Sequence, residues 1–126
     1  MVEIRLRTHC YPTEDRERVV GAMSSLFPDV QVSGREDLDG VSHSLEAFAE
    51  QLKKQRIRDT ARAVLRRGLR EDIVSFRLNK QVATVGNVSF SEEEHPLGDI
   101  EVEISAEDIA GLIDLIAPST KAVGGR

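Results

Sequence analysis

Three stretches of this chain alternate apolar and polar residues with a period of two, while most of the remaining apolar residues repeat at helical spacing. Residues 2 to 9 set Val2, Ile4, Leu6 and Thr8 against Glu3, Arg5, Arg7 and His9. From Ile73 onward Val74, Phe76 and Leu78 alternate with Ser75, Arg77 and Asn79, and later Ile100, Val102 and Ile104 alternate with Asp99, Glu101, Glu103 and Ser105. Such segments are strands with one face buried and one face in water. A sheet covered on both sides would read as continuous apolar runs, so helices are expected on one face only.

Helical spacing supplies that cover. After Tyr11-Pro12, Thr13 is the expected cap of a first helix running to about Leu26, with Glu14, Asp15 and Glu17 near its positive end and Val19, Val20, Met23 and Leu26 on its apolar stripe. Pro28 stops it. A short strand is expected at Val30 to Ser33 and a loop from Gly34 to Gly40. Ser44 is the expected cap of a second helix that buries Leu45, Phe48, Ala49 and Leu52. The apolar phase shifts between Leu52 and Ile57, which predicts a break near Gln55 and a third helix with Ile57, Ala61, Val64 and Leu65 inward as far as Gly68. Val82 to Phe90 reads as a strand interrupted at Gly86-Asn87, and Ser91 to Pro96 as an acidic loop. A last helix follows Ser105 and is ended by Pro118.

The expected architecture is an α+β domain over residues 1–118. It has a mixed, largely antiparallel sheet with helices on one face, in the order β-α-β-α-α-β-β-β-α, and a flexible tail at 119–126. At 126 residues the chain can bury a sizeable core without staples. With a single cysteine, Cys10, it forms no internal disulfide, which suits a reducing compartment. No apolar run approaches the length of a membrane helix, and the N-terminus opens directly on a strand pattern with no signal peptide; the expected location is cytoplasmic.

Charge is distributed unevenly. Residues 53 to 80 hold ten Lys or Arg against three acids, a balance of +7 inside a chain of net charge −5. Residues 92 to 108 hold eight acids and no Lys or Arg. Arg58, Arg62 and Arg66 stand four residues apart and form one stripe along the third helix, with Arg67 beside it and Arg70 beyond. Guanidinium forks suit phosphate, and contacts of this kind read backbone or shape more than sequence. Arg77, Lys80 and Gln81 form a second polar cluster at a strand end, where Asn79 is accounted for by a turn. Each cluster has a plain structural alternative: solvated or locally paired helix charges in the first case, ordinary loop polarity in the second. Arg5 and Arg7 on one strand and Glu101 and Glu103 on another would pair across the sheet if those strands are neighbours.

Catalysis has little footing in the sequence. His9 and Cys10 are adjacent on a strand and point to opposite faces, and His43 and His95 stand in loops without metal-ligand spacing. The glycines form neither a phosphate loop nor a dinucleotide fingerprint.

Several segments in order resemble an archaeal family of uncharacterised small proteins described as predicted RNA-binding or exosome-related. They are Tyr11-Pro12-Thr13-Glu14-Asp15, Ile57-Arg58-Asp59-Thr60-Ala61-Arg62, Phe76-Arg77-Leu78-Asn79-Lys80-Gln81 leading into Gly86-Asn87-Val88-Ser89-Phe90, Leu97-Gly98-Asp99-Ile100, and Ile116-Ala117-Pro118. The resemblance spans about residues 2 to 120. It implies a fold like that of the large-subunit ribosomal protein that contacts the small ribosomal RNA, and it brings no catalytic residue. The chain departs from the family at Asn87, where a basic residue is expected after the glycine.

Two readings follow. The first is a non-enzymatic RNA-binding or RNA-associated protein that uses Arg58, Arg62, Arg66, Arg67, Arg77, Lys80 and Gln81, with no cofactor, metal, membrane or small-molecule substrate. The second is an interaction or structural module, including a homodimer, whose basic segment docks on an acidic surface such as residues 92–108 of another copy.

Overall fold

The computed structural model describes residues 2–91 and 98–118. Its elements are β1 (Glu3–His9), α1 (Arg16–Leu26), β2 (Gln31–Ser33), β3 (Asp37–Ser42), α2 (Glu46–Lys54), α3 (Arg58–Arg67), β4 (Leu69–Arg70), β5 (Ile73–Asn79), α4 (Lys80–Ala83), β6 (Asp99–Ser105) and α5 (Ile109–Ile116). The six strands form one sheet in the order β2-β3-β1-β6-β5-β4. Every pairing is antiparallel, so the sheet has none of the parallel component a mixed sheet would carry.

The alternation seen in the sequence sets the two faces. Ile4, Leu6, Val74, Leu78, Ile100, Val102 and Ile104 are buried beneath the helices, while Arg5, Arg7, Glu101 and Glu103 stand exposed on the other side. All four phenylalanines lie in one row. Phe27 of the α1 C-cap stacks on Phe48 of α2 at 5.4 Å between ring centroids, Phe48 on Phe76 of β5 at 5.7 Å, and Phe90 meets Phe76 edge-on at 5.7 Å. This row joins two helices to the sheet and uses the aromatic side chains that would otherwise be available for surface stacking.

Several expectations are corrected. The segment read as a loop to Gly40 contains β3, in which Leu38, Gly40 and Ser42 face inward. Gly40 hid the alternation because it supplies no apolar side chain, and it is small for a reason: a Cβ there would lie 2.7 Å from Val30 Cγ2 and 3.0 Å from Met23 Cε. The segment from Val82 to Phe90 is not a second strand. Asn79 accepts a hydrogen bond from Val82 N–H at 3.0 Å and so caps the short helix α4, after which only Phe90 returns to bridge Leu78. The observed order is therefore β-α-β-β-α-α-β-β-α-β-α.

Asp15, two residues after Thr13, caps α1 by accepting from Glu17 N–H, and α2 begins after Leu45, with the Ser44 hydroxyl accepting from Glu46 N–H at 3.4 Å. The acidic loop lies, beyond Ser91, outside the described residues, as does the segment 119–126.

The break near Gln55 is where the sequence places it. Arg56 N–H donates to Lys53 O at 3.1 Å and Ile57 N–H to Leu52 O at 3.0 Å, the paired bonds that close a helix around one left-handed residue. That residue is Arg56, at φ 59°. At its far end α3 comes so close to β5 that Ser75 N–H donates to Gly68 O at 3.0 Å. A Cβ on Gly68 would lie 2.0 Å from Ser75 O.

Candidate nucleic-acid interface

Among the described residues, folding puts most of the basic segment on the helix layer and Asp99, Glu101 and Glu103 of the acidic segment on the open face of the sheet. On the open face of the sheet, Arg5, Arg7 and Arg77 stand among Glu3, Asp37, Asp39, Asp99, Glu101 and Glu103. With Arg70, which register sets beside Ile73 on the same face, six carboxylates stand against four arginines and leave that face acidic, and none of its strand positions holds a phenylalanine. The aromatic groups at that face are His9 and, past the end of β1, Tyr11, whose rings meet edge-on at 4.5 Å.

The strands bearing Arg5, Arg7, Glu101 and Glu103 are indeed neighbours, with Arg5 opposite Glu103 and Arg7 opposite Glu101. The shorter contacts go elsewhere: Arg5 Nε donates to Glu3 Oε2 at 2.7 Å and Arg7 Nε to Asp39 Oδ1 at 3.2 Å. The Arg5 guanidinium holds the Glu3 carboxyl below its ordinary range.

The helix layer carries the bases. α2 ends in the exposed Lys53 and Lys54, the connecting turn adds exposed Arg56, and α3 contributes Arg58, Arg62, Arg66 and Arg67, while Arg70 on the edge strand β4 pairs with Ile73 and turns to the open face. A helix turns about 100° per residue, so positions four apart drift by about 40° at each step. The stripe consequently does not stay on one face. Arg62 looks toward α5, where its Nη1 donates to Asp114 Oδ1 at 2.6 Å and to Ala117 O at 3.2 Å, with its side chain 21% exposed. Arg58 is half-buried beside a groove between α2 and α5. Arg66 and Arg67 are exposed, and Arg67 stands at the rim of a groove of about 930 Å³ over the open face of the sheet, which Arg5, Arg7, Arg77, Glu101 and Glu103 also line.

The second cluster is pulled apart. Arg77 belongs to the open face, and Gln81 is exposed on α4, which packs against α1. Lys80 is 1% exposed, too deep to meet a ligand surface. Its Nζ donates to His9 O at 2.7 Å and to Glu14 Oε1 and Oε2 at 3.0 and 3.3 Å, and it lies 5.4 Å from the centre of the Tyr11 ring. In the sequence Lys80 is one more basic residue; the signal that separates it from the others is its place directly after an alternating strand, on the parity of the buried residues Val74, Phe76 and Leu78.

Sequence reasoning gave Lys53, Lys54 and Arg56 no role in the site, although they complete the corner between α2 and α3. Among the described residues no group of three His, Cys, Asp or Glu side chains could hold a metal ion. None of the described helices is long and apolar enough to cross a membrane.

Comparison with known proteins places this architecture. A family model described as RNA binding matches residues 3–106. The chain is 40% identical over 122 residues to a UPF0201 protein of Methanothermobacter thermautotrophicus, covering 94% of this chain and 92% of that one. It is also 40% identical over 124 residues to a UPF0200/UPF0201 protein of Archaeoglobus fulgidus, covering 95% of this chain but only 38% of that longer protein. The crystal structure of a UPF0201 protein from Methanococcus jannaschii matches with a TM-score of 0.88 at 36% identity over 94% of each chain. The chain belongs to the UPF0201 family, with homologues in several archaea, as the sequence resemblance implied.

Proposed function

We propose that the protein binds RNA without catalysis, through the basic corner formed by the end of α2, the Arg56 turn and the outer side of α3. The observation that carries this reading is the segregation of charge. Lys53, Lys54, Arg56 and Arg66 are exposed on the helix side, with Arg67 at its border with the open face, whereas Asp99, Glu101 and Glu103 from the acidic segment are held on the opposite face of the sheet. A concentrated basic ridge attracts a polyanion even when the whole chain carries −5. The description of the matching family model agrees with this choice of partner.

Recognition there is of phosphate and helix shape. The ridge offers guanidinium and ammonium donors but no aromatic side chain, which favours the backbone of a structured RNA over splayed single-stranded bases. Arg62 supports the ridge indirectly by tying α3 to α5, and Lys80 supports the fold.

Fluorescence anisotropy with a structured RNA and a single-stranded RNA, titrated across a salt series, tests the proposal. Binding to the structured RNA at about 50 mM salt is expected, with log K falling linearly in log salt. Arg66→Glu with Arg67→Glu should weaken it by at least about tenfold and flatten the slope. Absence of binding at low salt, or affinity untouched by the double reversal in a folded protein, overturns it.

A further inference from the structure

The open face of the sheet carries an ordered charge pattern that the RNA reading leaves unused. Strand register puts Asp39, Arg7, Glu101 and Arg77 side by side in one row across β3, β1, β6 and β5. Going across, the signs run negative, positive, negative, positive. The next row along the strands reads Val41, Arg5, Glu103 and Ser75, and beyond Arg7 the cross-strand pairs are Asp37 with His9 and Asp99 with Asn79. The inner positions repeat the base-then-acid order of Arg7 and Glu101, and the end of α3, at Arg67 and Gly68, stands at the rim of the groove they line.

This pattern is antisymmetric about the line between β1 and β6. A two-fold axis lying in the plane of the face and parallel to the strands, centred on that line, lays β1 of one copy on β6 of the other and β3 on β5. Every charge in the central row then meets its opposite: Arg7 faces the partner's Glu101 and Asp39 faces the partner's Arg77. In the neighbouring row Arg5 faces the partner's Glu103. An axis running across the strands instead sets each strand on its own copy and brings like charges together. The charge arrangement thus selects both the partner and the orientation.

We infer that the open face is the interface of a two-fold dimer of this chain, with the sheets stacked face to face and β1 over β6. Seven-residue strands at about 3.4 Å per residue and four strands about 4.8 Å apart give a footprint of about 24 by 19 Å. Such a patch belongs with small interfaces, and its contacts are charged. Association is accordingly salt-sensitive. It leaves Lys53, Lys54 and Arg56 at the α2–α3 corner free, while Arg67 lies at the rim of the covered groove.

Sedimentation velocity on the full chain, with Arg7→Glu, Glu101→Arg and the combined swap, tests this. At about 100 mM salt a dimer is expected that dissociates toward monomer at about 1 M. Each single reversal should raise the dissociation constant at least about tenfold, because it puts like charges across the interface in two symmetric places. The combined swap, Arg7→Glu with Glu101→Arg, restores opposite charges between copies while it gives up the Arg7–Asp39 ion pair within the sheet, and should recover most of the affinity that the single variants lose. Mixing the two single variants should give a heterodimer, since each supplies the charge that the other lacks. A monomer at low salt, a dimer indifferent to both reversals, or a combined swap as weak as the single variants overturns the inference. None of these outcomes depends on RNA binding.

Discussion

Lys80 Nζ sits 3.0 Å from Glu14 Oε1 although 66 residues separate them and both side chains are withdrawn from solvent, at 1% and 8% exposure. Glu14 Oε1 also accepts from Tyr11 N–H at 3.0 Å, so the carboxylate ties the end of β1 to the start of α4. The ammonium is saturated as well, by Glu14 and the His9 carbonyl. An ion pair of this kind fixes geometry because losing either member strands the other charge in a poorly solvated place.

Replacing Lys80 by Met should therefore cost about 3 kcal/mol or more, since the Glu14 carboxylate remains buried without its partner. The double variant Glu14→Gln with Lys80→Met should lose clearly less than the sum of the two single changes. Urea unfolding of the four proteins in this cycle measures the coupling; simple additivity would show that the pair is not coupled.

Arg56 holds a left-handed backbone at φ 59°, where glycine is the preferred residue. Arg56→Gly should raise stability by about 1 kcal/mol by relieving that conformation. If the corner binds RNA, the same change lowers affinity and reduces the salt slope by about 1. Thermal unfolding and a salt titration on one preparation check both halves.

Gly68 is required for another reason. Its φ is −88°, an ordinary value, yet a Cβ would strike the Ser75 carbonyl at 2.0 Å. Gly68→Ala should destabilise by about 1 to 3 kcal/mol, outweighing the fraction of a kcal/mol gained from a less flexible unfolded chain. Denaturant midpoints at an unchanged m-value would give the number directly.

Asp29 accepts hydrogen bonds from the Ser42 hydroxyl and from His43 N–H, the latter at 2.8 Å, and these bonds hold its carboxyl below its usual range. A carboxyl depressed in the folded state stabilises the fold above its unfolded pKa, and that contribution is lost as pH falls through the folded value. The window therefore lies below about pH 4. Asp29→Asn should leave a shallower loss of melting temperature between about pH 5 and pH 2 than the wild type shows.

How much of this was legible in the sequence depended on whether side chains advertised their surroundings. The strands at Ile4, Phe76 and Val102 could be read because buried and exposed neighbours differ in polarity, and the helix break could be read from the lost phase at Ile57. β3 could not, because its central inward residue is Gly40 and the next is Ser42, so two buried positions looked like loop. Asn79 was read as a turn residue, yet it caps α4; the same preference for local hydrogen bonding serves both roles.

Within the site, composition located the basic segment, but depth decided which of its members could meet a ligand. Arg66 and Lys80 look alike as letters, and only the parity of β5 carried into α4 sends one out and the other in.

The sheet's outermost strands are its shortest, three residues in β2 and two in β4. Beyond β4, the Ser75–Arg77 stretch of β5 is bracketed by Gly68 and the Phe90 bridge, so an incoming strand finds no long run of open ladder on that side. Edge-to-edge polymerisation, the route by which exposed sheets become fibres, is blocked at both margins. Self-association through the sheet then falls to its open side, where the two-fold pairing inferred above would close two copies on each other and stop growth.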